Sequence, residues 1–178
     1  MNERLKTTLR AWPVITAATV AICYITKLGA ELIGIVLPDQ ENITVVMQIM
    51  KHMFDSPRHF VGCMRLIATV LFLMPAVEEF IFRYLLFLLP SRQLARQTKG
   101  GTRARPLAVA LAIVSSVLFS AAHYLLQPFP DAAFIALFFF GLAQCWLYSK
   151  TDHIWSPMLN HCLFNLANLV LAIVSIYV

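Results

Sequence analysis

Five apolar stretches, each about as long as a lipid bilayer is thick, leave this chain few ways to fold. They run from Ala11 to Leu37, Phe60 to Leu89, Leu107 to Leu126, Ala132 to Tyr148, and Trp155 to the C-terminus. A bilayer core takes roughly 20 helical residues to cross, so each stretch can span, the fourth only just. Backbone N–H and C=O groups find no partners in hydrocarbon. Helices or closed barrels are therefore the only options, and the alternation of a barrel strand is absent. The expectation is an all-α, polytopic transmembrane helix bundle of about five spans, forming a single membrane domain over residues 1–178. Composition agrees: 60% of residues are hydrophobic and 13% charged, about half the charged fraction of a soluble domain. The first apolar run is too long for the h-region of a cleaved signal peptide and reads as a retained span.

The formal charge of +5 would hint at nucleic acid in a soluble protein. Here the basic residues sit between apolar segments, as topology signals, and no nucleic-acid partner is expected. With five spans, one side receives Arg4, Lys6, Arg10, the Pro90–Pro106 connection and Lys150, while the other receives only Lys51 and Arg58. The positive-inside rule then puts the N-terminus in the cytoplasm and the C-terminus outside, with Trp12, Trp146, Tyr148 and Trp155 as an inner aromatic belt. Among the connections, Asn42 to Phe54 suits a short surface helix and Gln127 to Asp131 a tight turn. Cys23, Cys63, Cys145 and Cys162 lie in apolar runs without C-x-x-C spacing, and read as small packing residues.

The second stretch is about 30 residues, or roughly 45 Å of helix, longer than the hydrocarbon is thick. Pro75 removes a helical hydrogen bond inside it and should kink or break it, giving six spans in the latter case. A helix restarting at Pro75 would place Glu78 and Glu79 in its first turn, where the helix dipole favours negative charge.

Charged side chains inside a membrane cost several kcal/mol, so each one needs a reason. Lys27 and Glu31 share a helix face at i, i+4 and read as a structural ion pair; Arg65 reads as interfacial or paired. Glu79 and Arg83 share a face in the same way. Glu78 lies about 100° away around the helix and has no such local partner. This suggests a division of labour, with Glu79 a paired scaffold and Glu78 free to take or give a proton. His123 follows Ser116 and Ser120 along a stripe of small residues that otherwise suits helix packing. His161, Asn165 and Asn168 form a polar stripe on the last span. His52, His59 and His153 fall in polar connections and read as surface residues.

Glu78-Glu79-x-x-x-Arg83, Phe119-x-x-x-His123 and His161-x-x-x-Asn165, in that order on separate spans, resemble the CPBP family of CAAX-processing and bacteriocin-processing (Abi-type) intramembrane proteases. The approach Trp155-Ser156-Pro157-Met158-Leu159-Asn160-His161 is also similar to the family's. The likeness covers a core of about 71–166. One departure is Cys145, where the family often carries a second glycine after Gly141, and it reads as a packing change. The resemblance implies an intramembrane endopeptidase that hydrolyses a peptide bond of a membrane-associated protein or peptide by glutamate-activated water. Glu78 would be the general base, assisted by His123. His161 and Asn165 would polarise the scissile carbonyl, and Glu79 and Arg83 would order the site.

The family's glutamate-dependent chemistry implies no cofactor. The alternative is zinc, which Glu78, His123 and His161 could ligate while leaving one position open. A second alternative is a non-catalytic membrane partner or immunity protein of the same fold, in which these residues knit the bundle. Proton-coupled transport fits poorly, because no internal repeat is visible. The expected partners are the lipid bilayer and a membrane-associated peptide or protein substrate. The expected location is the inner membrane of a prokaryotic cell.

Overall fold

The computed structural model describes residues 2–37, 46, 48–97, 104–125 and 132–177. Among the described residues the regular structure is all helical, with no strand and with five helices long and apolar enough to cross a membrane. They are α1 (Glu3–Leu32), α2 (Pro57–Gln97), α3 (Arg105–Leu125), α4 (Ala133–Thr151) and α5 (Trp155–Tyr177). The tight turn expected at Gln127 to Asp131 lies outside the described residues. Of the expected surface helix, residues 48–51 are helical, and the Ile49 carbonyl accepts from the Cys63 thiol at 3.4 Å.

Local chemistry sets the helix ends. The Asn2 side chain caps α1 by accepting from Arg4 N–H at 3.1 Å, satisfying a donor that the first turn leaves open. At the other end, Gly34 takes φ +79°, Ile35 N–H reaches back to Ala30 O, and Gly34 N–H bonds to Glu31 O. These paired bonds close a helix C-terminus around a left-handed residue, a conformation glycine adopts without a Cβ penalty. Ser56 caps α2 through His59 N–H at 3.2 Å, with Pro57 in the first turn where its missing N–H costs nothing. α4 ends at Asp152 in the left-handed region, with φ 49°.

Three expectations need correction. α2 does not break at Pro75, so the six-span alternative lapses: it is one 41-residue helix. It absorbs the proline by widening into π-helical turns over Thr69–Leu73, and widens again over Phe80–Leu88. Because the backbone runs on through residue 75, Glu78 and Glu79 sit at no free helix N-terminus, and the dipole argument for them falls away. Finally, α2 continues through Pro90 to Gln97, where a connecting loop was expected.

α4 is the central helix, packed against α1, α3 and α5. Its inward stripe of Ala133, Leu137 and Phe140 meets Ile15 of α1, Phe119 of α3 and Phe164 of α5. The small residues of α3 let helices approach closely and supply hydroxyls between them. Ser120 Oγ donates to Phe134 O at 2.7 Å and Ser115 Oγ to Phe82 O at 2.6 Å. A Cβ added at Gly141 would stand 2.9 Å from the Ser116 Cβ, so α4 crosses α3 where only glycine fits.

One end of the bundle gathers the N-terminus of α1, the C-terminal end of α2 and the α4–α5 turn. Arg92 pairs with Asp152 there, and Asn2, Arg4 and Leu5 share a hollow with His153, Trp155 and Ser156. Trp146 lines a neighbouring hollow with Thr7 and Arg10. This is the grouping that the basic and aromatic residues predict for a single membrane face. None of the four cysteines is in a disulfide.

Candidate active site

The site forms where α2 and α5 cross against the aromatic side of α3. Glu79 and Arg83 are both fully buried, and Arg83 Nε lies 3.1 Å from Glu79 Oε2, so the pair that their spacing predicts is made. The geometry is that of an ion contact and not of a directed hydrogen bond. The guanidinium Nη1 and Nη2 also lack an acceptor among the described residues. Part of the missing stabilisation comes from a ring: the Arg83 guanidinium carbon sits 4.4 Å from the Phe119 centroid, a cation–π contact strengthened by burial.

The other oxygen of Glu79 is taken by the last span. His161 Nδ1 lies 2.8 Å from Glu79 Oε1. A carboxylate only accepts, so Nδ1 carries the hydrogen, and Glu79 fixes both the tautomer and the direction of the ring. His161 Nε2 then points to Glu78, with Oε2 at 3.6 Å. The four residues form a chain, Arg83–Glu79–His161–Glu78. It runs from a dry end to a wetter one, because the Glu78 side chain keeps 19% of its surface exposed while that of Glu79 has none.

His123 approaches from α3. It begins a short 3-10 turn, His123–Leu125, that ends the helix. Its Nδ1 donates to Phe119 O at 2.9 Å, which leaves Nε2 of the neutral ring as an acceptor. Phe119 joins the two histidines: its ring is 4.9 Å from that of His123 and 5.9 Å from that of His161, edge-on in both cases. Phe140 closes the other side of His161 at 5.0 Å. Asn165, one turn along α5 from His161, donates from Nδ2 to the backbone oxygen of Val70 at 2.9 Å.

The structure thus brings Glu78, Glu79, Arg83 and His161 into one connected group. His123 is set beside it across Phe119, and Asn165 is held against α2. Among the described residues no three His, Cys, Asp or Glu side chains are grouped as a metal site. Two contributors were not singled out as site residues in the sequence. One is Phe119 as the ring that Arg83 and both histidines share. The other is a buried amide pair, Gln144 Nε2 donating to Asn160 Oδ1 at 2.9 Å, which fixes α5 one residue before His161. A single glutamine within the otherwise apolar run Ala133–Leu147 of α4 was the available signal for the second.

A family model for type II CAAX prenyl endopeptidase Rce1-like proteins matches residues 60–167. The chain belongs to that family. The match spans the three motifs and begins just inside α2, leaving α1 outside it. No curated protein and no solved structure matches the chain. Membership of the Rce1-like family, together with five apolar helices, makes the chain an integral membrane protein of a protease family.

Proposed function

We propose that this Rce1-like protein is an intramembrane endopeptidase in which Glu78 activates the attacking water. The observation that carries the reading is the contrast between adjacent carboxylates. Glu79 is dry and committed to Arg83 and His161, while Glu78 stays partly open beside the His161 ring. A general base must reach water and must not be consumed by a salt bridge. Of the two carboxylates, Glu78 meets both conditions.

In the reaction, the Glu78 carboxylate takes one proton from water as its oxygen attacks the scissile carbonyl carbon. The carbonyl π pair moves to oxygen, which the free N–H of the Asn165 amide faces as donor; His161 adds a second donor from Nε2 when the ring carries a hydrogen on both nitrogens. When the C–N bond breaks, its pair leaves on nitrogen, which receives the proton held by Glu78. A carboxylic acid and an amine result, and the acid then passes its remaining proton to the amine, leaving a carboxylate and an ammonium ion. His123, with Nε2 unprotonated, assists the first proton transfer. Donors fixed in a low-dielectric site need no reorganisation as charge develops, which is why rigid positioning by Glu79 and Arg83 matters. The substrate is a membrane-associated protein or peptide. The basic end of the bundle faces the cytoplasm of a prokaryotic cell and the C-terminus lies outside.

Purified protein in detergent, presented with a panel of prenylated and unmodified membrane-anchored peptides, tests this reading. Cleavage is expected to disappear in Glu78→Ala and His123→Ala, with membrane insertion unchanged. Parental cleavage by both variants would sink the proposal. Activity should also survive exhaustive chelation; loss restored only by zinc would replace glutamate catalysis with metal catalysis. The competing reading, a non-catalytic membrane partner, draws on the same burial of Glu79, Arg83 and His161, since a purely structural network would also be dry. Full biological complementation by Glu78→Gln would favour it.

A further inference from the structure

Val70 lies two turns before Glu78 on α2, and its carbonyl has lost both helical donors. In an α-helical register the donor would be the N–H of residue 74, but Met74 N–H bonds to Thr69 O. In the wider π register the donor would be the N–H of residue 75, and that residue is proline. A carbonyl without a donor in a membrane-spanning helix costs free energy, and a neighbouring helix can relieve it. Asn165 does so at 2.9 Å. α5 therefore holds α2 at two levels one turn apart on its own axis: His161 on the glutamates and Asn165 on Val70 O.

The second bond also selects how the Asn165 side chain is turned. A carbonyl oxygen accepts only, so it holds the NH2 end of the amide toward α2 and excludes the flipped arrangement. The amide is planar, so fixing one N–H fixes the direction of the other. Without the Val70 carbonyl, the amide could turn its own oxygen to where a donor is needed.

We propose that Pro75 is a positioning residue for hydrolysis: by withholding a backbone hydrogen it reserves the Val70 carbonyl for Asn165, and so orients the remaining Asn165 N–H toward the scissile carbonyl oxygen. This rests on the endopeptidase reading above. It gives Pro75 a purpose beyond bending α2, in which it leaves the helix unbroken.

Pro75→Ala tests the idea, because it restores an N–H that competes for Val70 O. On the panel peptide that the parent cleaves fastest, Pro75→Ala is expected to lower kcat at least about tenfold and leave KM within about twofold. Asn165→Ala should do the same, and the double variant should be no slower than the slower single, since both changes remove one orientation. Melting temperatures should be coupled too: Asn165→Ala lowers the melting temperature in the parent and not in the Pro75→Ala background. A parental kcat for Pro75→Ala, or rate losses that multiply in the double variant, would overturn the proposal. Coupled melting with uncoupled kcat would also overturn it, by leaving the contact purely structural. Should Pro75→Ala not fold, ester replacement of the Val70–Leu71 peptide bond weakens the same carbonyl with every side chain kept, and the same fall in kcat is expected. Glu78→Gln, which leaves Pro75, Asn165 and the Val70 carbonyl unchanged, separates the two failures: a parental rate there defeats the endopeptidase reading itself.

Discussion

α1 and α2 each carry opposite charges four residues apart within an apolar helix, and the two pairs meet different surroundings. Lys27 is half-buried and Glu31 exposed, five residues and one residue from the end of α1. Glu79 and Arg83 lie mid-helix in α2 with no exposed surface at all. The i, i+4 spacing is the same, so each pair can meet on one helix face, and the reversed order of charge changes the local attraction by only a few tenths of a kcal/mol. What differs is the tertiary position. α1 lies at the edge of the bundle, where a long side chain can reach an interface. The corresponding stretch of α2 is enclosed by α3, α4 and α5. Charge in a span is therefore informative only when the bundle closes around it, because then the groups that neutralise it must be built in.

The comparison can be broken most easily at Arg83. Arg83→Met removes the cation from a dry carboxylate and should cost about 3–5 kcal/mol of stability, read as a large fall in melting temperature in detergent. A melting temperature near the parent's would mean that Glu79 does not depend on Arg83, and the contrast with α1 would collapse. Gly141→Ala should cost about 1–3 kcal/mol by overpacking, since the new methyl would meet Ser116 Cβ at 2.9 Å and its Cα at 3.1 Å. Ser116→Gly in the same background should recover part of the loss, leaving the backbone contact as the residue. A fully tolerated alanine would show that α3 and α4 can separate without disturbing the site. At the small end, Lys27→Met should shift stability by no more than about 0.5 kcal/mol, as for an ordinary surface substitution. A loss as large as that of Arg83→Met would erase the distinction between the two helices.

The sequence made the spans legible, because lipid imposes length and apolarity on each one separately. It also made the Glu79–Arg83 pair legible, because i, i+4 geometry is local to one helix. The two widenings of α2 were not: the reading at Pro75 offered a kink or a break, and the helix instead shifts its hydrogen-bond register. The link from Asn165 to Val70 O depends on how α5 slides along α2, which no periodicity encodes. Pro75 five residues after Val70 was the only trace of it. The position of His161 between two carboxylates is of the same kind, since residues 79 and 161 meet only through packing. Phe119 appeared in a motif as a residue near His123. Its ring proves to be the surface that Arg83, His123 and His161 share.

The central claim is that adjacent carboxylates on α2 have separate tasks, and paired conservative substitutions test it most directly. Glu78→Gln and Glu79→Gln would be purified in parallel, with cleavage rate and melting temperature measured for each. Glu78→Gln should slow cleavage by about 10²–10⁴-fold, the usual worth of a general base, at a melting temperature close to the parent's. Glu79→Gln should lower the melting temperature markedly, because Arg83 would be left buried without its counter-charge. The reverse result, with Glu78→Gln active and Glu79→Gln inactive at parental stability, would contradict the account.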